Sequence, residues 1–462
     1  MGKLDESVLQ EFLNIVGPNH ALQEPDLTAS YTTDWTGRFV GRSPMVLRPA
    51  DTFQIAALVK VAAHAGISIV PQGGNTGLVG GSVPLNQEIV ISTLRVDQCE
   101  PVDGLAQQVT AGAGTTLAKA QSHASEQGFD IGVDLAARGS CTIGGMIATN
   151  AGGINVVRYG AMRDQVLGLE AVLSDGSIIS HLEGLEKDNT GYSFPGLLAG
   201  SEGTLGIITK ARLRIHPQLS ERCSAMIALN TVDDAVAATA QLRRTLPSLH
   251  AVEVIFGETM HLVSDHIKAS IPVGPEARAW LLVEVAATND PTDELANSIA
   301  LLETLPIDVA VGIEPAARNN LWQYREKITE AIATRGTPHK LDVTLSASRL
   351  AEFVNGVPHL ISRIDSRATA LMFGHLGDGN VHVNILGEQG TEPSEEVDRA
   401  VLHYAAELGG SISAEHGIGS AKKEFLHLNR SESELAAFRA IKASLDPKGI
   451  LNPNVLLPPK SS

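Results

Sequence analysis

The chain has 462 residues, 43% of them hydrophobic and 19% charged, which is the balance of a folded protein; its length exceeds what one hydrophobic core supports, so two or more domains are expected. The 35 Lys and Arg against 52 Asp and Glu leave a net charge of -17, which repels phosphate backbones and excludes nucleic acid as a natural partner. Three scattered cysteines (Cys99, Cys141, Cys223) with no CxxC exclude a disulfide framework and a thiolate zinc site, and point to a reducing cytoplasm.

The amino-terminal MGKLDESVLQEF has neither a basic n-region nor an apolar h-region, so no secretion signal is expected. Glu6 stands where a myristoylation motif beginning at Gly2 needs Ser or Thr. No apolar run approaches the roughly 18 residues of a membrane span. Asp51 and Thr52 are placed to cap a helix over FQIAALVKVAAHA, Gly66 to end it, and ISIV to follow as a buried strand. The glycine-rich loop PQGGNTGLVGGSVP (71–84) comes next, then a strand EIVIST (88–93) and a second capped helix, TLAKAQSHASEQ (116–127), stopped by Gly128. Two more glycine-dense stretches cover 139–160 and 187–209. The strand-like GIITKARLRI (206–215) ends at His216 and Pro217, and there the glycine loops vanish.

A first domain over 1–217 is therefore expected, followed by an α+β domain over 218–410 in which apolar strands such as AWLLVEVAA (279–287) and TALMFGH (369–375) alternate with amphipathic helices. The segment 411–462, with the helix ESELAAFRAIKASL (432–445) and the run DPKGILNPN (446–454), is expected to complete the active site.

Glycine lets backbone N–H groups approach a pyrophosphate, because no Cβ intervenes and positive φ is open to it. Three such loops in one domain imply one large anionic ligand, although each alone reads equally as a set of tight turns. No GxGxxG opens a helix after a strand and no GxxxxGK[ST] occurs, which disfavours a nicotinamide site and a P-loop.

TALMFGHLGDGNVHVNIL (369–386) reads as a hairpin around a Gly-Asp-Gly-Asn turn, with His375 before the turn and His382 and Asn384 sharing a face after it. So short a loop can bring both imidazoles onto one ion; on spacing alone, two structural histidines fit equally well. In SAEHGIG (413–419), adjacent Glu415 and His416 point to different partners, so Glu415 can complete a His, His, Glu metal set while His416 faces a substrate. A surface Glu-His pair in a loop is the plainer reading of those residues by themselves.

Taken in order, PQGGNTG, GGMIATNAGG and GSEGTLGIIT resemble the FAD-binding domain of the vanillyl-alcohol oxidase type of FAD-linked oxidase. The resemblance implies an α+β fold of two subdomains clasping FAD, plus a substrate domain with an antiparallel sheet. It assigns Pro71, Gly73, Gly74, Asn75, Thr76, Gly77, Gly80, Gly81 and Ser82 to one side of the cofactor. Gly139, Thr142, Gly144, Gly145, Thr149, Asn150 and Gly152 fall on the other, with Gly203, Thr204 and Ile208 nearer the adenosine half and Asn452 from the tail. Relatives that tether flavin covalently often carry His where this chain has Asn75, so a dissociable FAD is expected.

GHLGDGN with HVN, AEHGIG and DPKGILNPN resemble the C-terminal motifs of the D-2-hydroxy acid dehydrogenases of this family, a group that includes D-lactate, glycolate and D-2-hydroxyglutarate dehydrogenases; the likeness runs from about residue 25 to 457. It implies that His375, His382 and Glu415 bind a divalent metal (zinc first, manganese second), that Asn384 touches substrate, and that His416 binds it and acts as the base. Hydride would then pass from C2 to flavin N5, leaving a 2-oxo acid.

The helical pattern of AARNNLWQYREKITEAIATRG (316–336) puts Arg325 and Thr329 one turn apart, and the alternation of HKLDVTLS (339–346) puts Lys340, Asp342 and Thr344 on one side. Arg, Thr and Lys converging would suit a second carboxylate, and R-E-K-I-T followed by K-x-D resembles the D-2-hydroxyglutarate dehydrogenases. A dicarboxylate is expected, D-2-hydroxyglutarate before D-malate, with D-lactate or glycolate as the alternative. A metal-dependent hydrolase, in which the two histidines and Glu415 activate water, is the reading from another class. The acceptor that reoxidises FAD is expected to be an electron-transfer flavoprotein or a quinone-linked carrier, and a homodimer is the expected assembly.

Overall fold

Asp51 caps the helix Thr52–Ala65 by accepting the N–H of Gln54, and Gly66 closes it in the left-handed region at φ 66°. The strand Ile69–Gln72 follows, and its parallel neighbour is Ile89–Ser92. These placements come from a computed structural model, which describes residues 5–388 and 391–458. Gly2 lies outside the described residues. No helix among them is long and apolar enough to cross a membrane.

The chain divides into two units. The first comprises residues 1–152, 160–217 and 415–462; the second comprises 153–159 and 218–414. The excursion Gly153–Tyr159 has no local signal in the sequence. Arg158 fixes it within the second unit by donating to the carbonyls of Ser248, Leu249 and Ala286.

Unit 1 holds two four-stranded sheets, each with its own apolar core. One orders its strands Ala21–Leu22, Val46–Leu47, Ile89–Ser92 and Ile69–Gln72. Its core is formed by Met45, Leu47, Ile55, Leu58, Ile69 and Ile91. The other is antiparallel, in the order Gln108–Gly112, Ile207–Arg214, Val166–Val172 and Ile178–His181. Its core gathers around Leu117, Ile143, Ile147 and Leu213. Two sheets with separate cores are the two subdomains expected for a dinucleotide clasp.

Unit 2 is built on a seven-stranded antiparallel sheet in the order Asp308–Gly312, Glu221–Leu229, Ala279–Ala287, Leu249–Phe256, Thr369–His375, Asn380–Leu386 and His339–Thr344. The hairpin strand 369–375 and the strand 279–287 match their sequence expectations to the residue. The helix expected over 316–336 is two helices, Pro315–Glu326 and Ile328–Ala333, interrupted at Lys327. Tertiary ties hold the break: Tyr324 donates to the carbonyl of Ser270, and Arg325 is held by Glu253. Thr329, in the second of these helices, is exposed.

Candidate active site

Within unit 1, side chains hold open the loop that follows Ile69–Gln72. Asn75 sits at φ 52°, donates through Nδ2 to the carbonyls of Ser30 (3.1 Å) and Thr33 (2.9 Å), and accepts from Ser82 Oγ (2.8 Å). The backbone N–H groups of Gly74, Asn75, Thr76 and Gly77 have no acceptor among the described residues. Such a run of unspent donors suits an anion. Gly73 and Gly74 have a further reason to be glycine: a Cβ at 73 would lie 2.2 Å from Thr142 Oγ1, and one at 74 would lie 1.8 Å from the Ser140 carbonyl oxygen. This loop therefore rests directly on the second glycine stretch. A Cβ at Gly77 or Gly139 would meet nothing within 4 Å, so space remains beside the free donors.

Thr142 caps the helix Ile143–Thr149 by accepting the N–H of Gly145, and Gly144 donates to the Ala113 carbonyl (2.9 Å). The N–H groups of Gly144 and Gly145 are thus spent within the chain. A Cβ at 144 would come 2.6 Å from that of Ala113, so this glycine serves close packing. Thr149 Oγ1 donates to the Gly145 carbonyl, Asn150 ends the helix at φ 50°, and Gly152 is buried two residues on. The third loop docks on the same helix: Gly200 and Glu202 donate to the carbonyls of Ile147 (3.0 Å) and Ala148 (2.8 Å). A Cβ at Gly203 would lie 3.0 Å from Pro71 Cγ, while Thr204 Oγ1 donates to Ser201 and Ile208 is buried. Three loops separated in sequence converge on one region.

The tail segment joins that region. Asn452 Nδ2 donates to the carbonyls of Gly81 and Glu202, both at 2.8 Å. The buried carboxylate of Glu202 accepts the N–H groups of Ile418 and Gly419, again at 2.8 Å. Burial pushes the Glu202 carboxyl up to about 7, against the pull of those two donors. A Cβ at Gly80 would lie 2.6 Å from Ser420 Oγ. The run that follows His416 is therefore pinned to the glycine loops, and His416 Nε2 lies 4.0 Å from Glu415 Oε1. Sequence reasoning missed Glu202; the available signal was a lone acid inside a glycine loop.

In unit 2 the site is one face of the sheet. Glu253 pairs with His375, His375 with Asn380, His382 with Asp342, and Asn384 with Lys340, all directly opposite across neighbouring strands. Opposed residues share a face, as do residues two apart, so Glu253, His375, His382, Asp342, Asn384 and Lys340 all lie on it. The two Nε2 atoms of His375 and His382 are 3.4 Å apart. Two nitrogens each bound at 2.0–2.1 Å to one tetrahedral ion would be separated by about 3.3 Å, so the pair fits a shared metal. His375 Nδ1 hydrogen-bonds Glu253 Oε1 at 2.6 Å, and Arg325 Nε donates to Glu253 Oε2. Burial raises the Glu253 carboxyl, but His375 and Arg325 outweigh it and hold the group below the usual carboxylate range. Asp342, fully buried, accepts the Ala414 N–H (2.9 Å), and Ser411 and Thr344 exchange backbone hydrogen bonds. Ala414, the last residue of this unit, is thereby tied to the same sheet face, and Glu415 follows it in the chain.

Of the residues expected for a second carboxylate, Arg325 lies with its guanidinium 4.6 Å from the centre of the Phe373 ring. Its Nη donors have no acceptor among the described residues. Burial lowers the Lys340 ammonium below the ordinary lysine range. Thr329 is exposed. Glu253 and Asp342 had no assigned role in the sequence, because their partners are fixed by strand register.

Two sheets with convergent glycine loops in one unit and a seven-stranded antiparallel sheet in the other are the elements of a flavoprotein fold of the vanillyl-alcohol oxidase type. The fold aligns with p-cresol methylhydroxylase with substrate bound at TM-score 0.78 and 15% identity, covering 99% of this chain and 97% of that one. Residues 43–181 match the FAD binding domain model, and 218–456 match FAD linked oxidases, C-terminal domain. The chain belongs to this FAD-linked oxidase family and is an FAD-dependent oxidoreductase. It is 35% identical to a mitochondrial D-2-hydroxyglutarate dehydrogenase of Danio rerio over 97% of this chain and 84% of that protein. It is 33% identical to a putative mitochondrial D-lactate dehydrogenase of Schizosaccharomyces pombe over 98% and 90%.

These relatives correct one expectation. Both are named mitochondrial, which points to that compartment rather than to the cytoplasm. The cysteine argument was too coarse: three unpaired thiols do not choose among reducing compartments. The hydrolase reading lapses as well, because flavin-domain matches leave the glycine loops no role as mere turns.

Proposed function

We propose that the protein oxidises a D-2-hydroxy acid to the 2-oxo acid with His416 as base, and that its substrate is a dicarboxylate, D-2-hydroxyglutarate before D-malate. The observation that carries this reading is the sheet face, where two imidazole nitrogens 3.4 Å apart stand beside Lys340 and Asn384. Bound FAD, non-covalent with Asn75 in its loop, supplies the hydride acceptor. His375, His382 and Glu415 would hold a divalent ion, zinc before manganese, which would supply Lewis-acid polarisation of the substrate. His416 takes the hydroxyl proton, and Asn384 orients the same end of the substrate. Lys340 and the Nη donors of Arg325 receive the far carboxylate, each through charge-assisted hydrogen bonds. An electron-transfer flavoprotein or quinone-linked carrier would collect the electrons.

The test is a panel of D- and L-2-hydroxy acids, read by anaerobic bleaching of the flavin and by turnover with a dye acceptor, before and after chelation. D-2-hydroxyglutarate should reduce the flavin fastest, and turnover should vanish with the metal and return with zinc or manganese. Preference for D-lactate, or full activity in chelated protein, would overturn the substrate or the metal assignment respectively.

A further inference from the structure

Glu253 is fully buried on the strand Leu249–Phe256, and both of its oxygens are committed. Oε1 meets His375 Nδ1 at 2.6 Å and Oε2 accepts from Arg325 Nε. The contact with His375 is a direct consequence of register, since the two residues face each other across the ladder; a slip of one residue would turn Glu253 to the opposite face. We propose that Glu253 is a positioning residue for both ends of the substrate site: it holds His375 as the Nδ1–H tautomer, leaving Nε2 as the metal-binding atom, and it anchors Arg325 for the far carboxylate.

An ionised carboxylate only accepts, so Oε1 selects the tautomer in which Nδ1 carries the proton. Nε2 then presents a lone pair on the side where it lies 3.4 Å from His382 Nε2. Orienting partners of this kind commonly govern metal affinity without touching the ion. Oε2 uses one of the five guanidinium donors of Arg325, and the Phe373 ring lies against the guanidinium. The Nη donors remain for a ligand. One side chain therefore sets the direction of two groups that act on opposite ends of a dicarboxylate. Glutamine is isosteric but cannot replace it, because its amide end would face a donor at either His375 or Arg325.

This inference rests on the metal reading above, and the experiment separates the two. Flavin-loaded protein stripped of metal is titrated with zinc against a competing chelator, for wild type, His382→Ala and Glu253→Gln. Wild type should bind one zinc, His382→Ala should lose it, and Glu253→Gln should bind 10- to 100-fold more weakly with its flavin content unchanged. No zinc in wild type overturns the metal reading and the inference together; equal affinity in wild type and Glu253→Gln overturns the inference alone. Should Glu253→Gln fail to fold, the metal-free wild type decides through imidazole ¹⁵N chemical shifts. His375 in the Nδ1–H form supports the proposal, and the Nε2–H form sinks it.

Discussion

The glycine loops of unit 1 present backbone and the sheet face of unit 2 presents side chains, and a buried carboxylate serves each: Glu202 in the first, Glu253 in the second. Glu202 accepts the main-chain N–H groups of Ile418 and Gly419, and burial pushes its carboxyl up to about 7 against those donors and the Lys422 cation. Glu253 meets the His375 ring and the Arg325 guanidinium, and they hold its carboxyl below the usual range although it too is buried. Burial disfavours both charges alike; the partner decides the outcome. A loop can thus be fastened by a carboxylate that gains little from ionising, whereas the sheet face carries one that its partners keep charged.

Four experiments would sharpen or break this contrast. The largest effect is expected at His416, whose loop is fastened by Glu202: His416→Gln should keep flavin yet slow flavin reduction by about 10² to 10⁴, the usual worth of a general base. Reduction at the wild-type rate would remove His416 from the chemistry.

Next comes the pH dependence of unit 1. The folded-state carboxyl of Glu202 is raised from 4.5 to about 7, so the folded chain binds that proton more tightly than the unfolded chain does. The resulting stability is complete below pH 4.5, declines as pH rises, and is lost above about 7, a span worth roughly 3 kcal/mol. Thermal midpoints of wild type should fall across this window, and Glu202→Gln should flatten the decline. An unchanged slope in the variant would show that Glu202 titrates normally.

The substrate end should respond less. Lys340→Ala removes a charge-assisted hydrogen bond worth roughly 1.5 to 3 kcal/mol, so KM for a five-carbon diacid should rise about tenfold or more while D-lactate is spared. Equal losses for both acids would make Lys340 structural.

The smallest but most discriminating comparison lies within the first glycine loop. Gly74→Ala drives a Cβ to 1.8 Å from the Ser140 carbonyl oxygen and should lower the thermal midpoint of the apoprotein. Gly77→Ala enters open space and should leave that midpoint within about 0.5 kcal/mol while weakening FAD. If both variants lowered stability alike, the open space beside Gly77 would not be a ligand site.

Much of this molecule could be read from local pattern. The Asp51 cap and Gly66 stop of one helix and the hairpin around His375 and His382 follow from short-range signals, and the three glycine loops stand out by composition. The glycines themselves were understood only in part: Gly77 leaves space, but Gly73, Gly74 and Gly144 are also demanded by chain segments lying against them. Helical spacing placed Arg325 and Thr329 one turn apart; it did not show the interruption at Lys327 or the tie of Arg325 to Glu253, which is 72 residues away.

By itself the sequence determined which chemical groups are present and how they repeat: free backbone donors, two histidines flanking a tight turn, adjacent Glu415 and His416. Tertiary structure decided which groups face one another. Glu253 reaches His375 across 122 residues, and Glu202 reaches Ile418 and Gly419 across 216 and 217, because strand register and loop docking, rather than any local preference, set those distances.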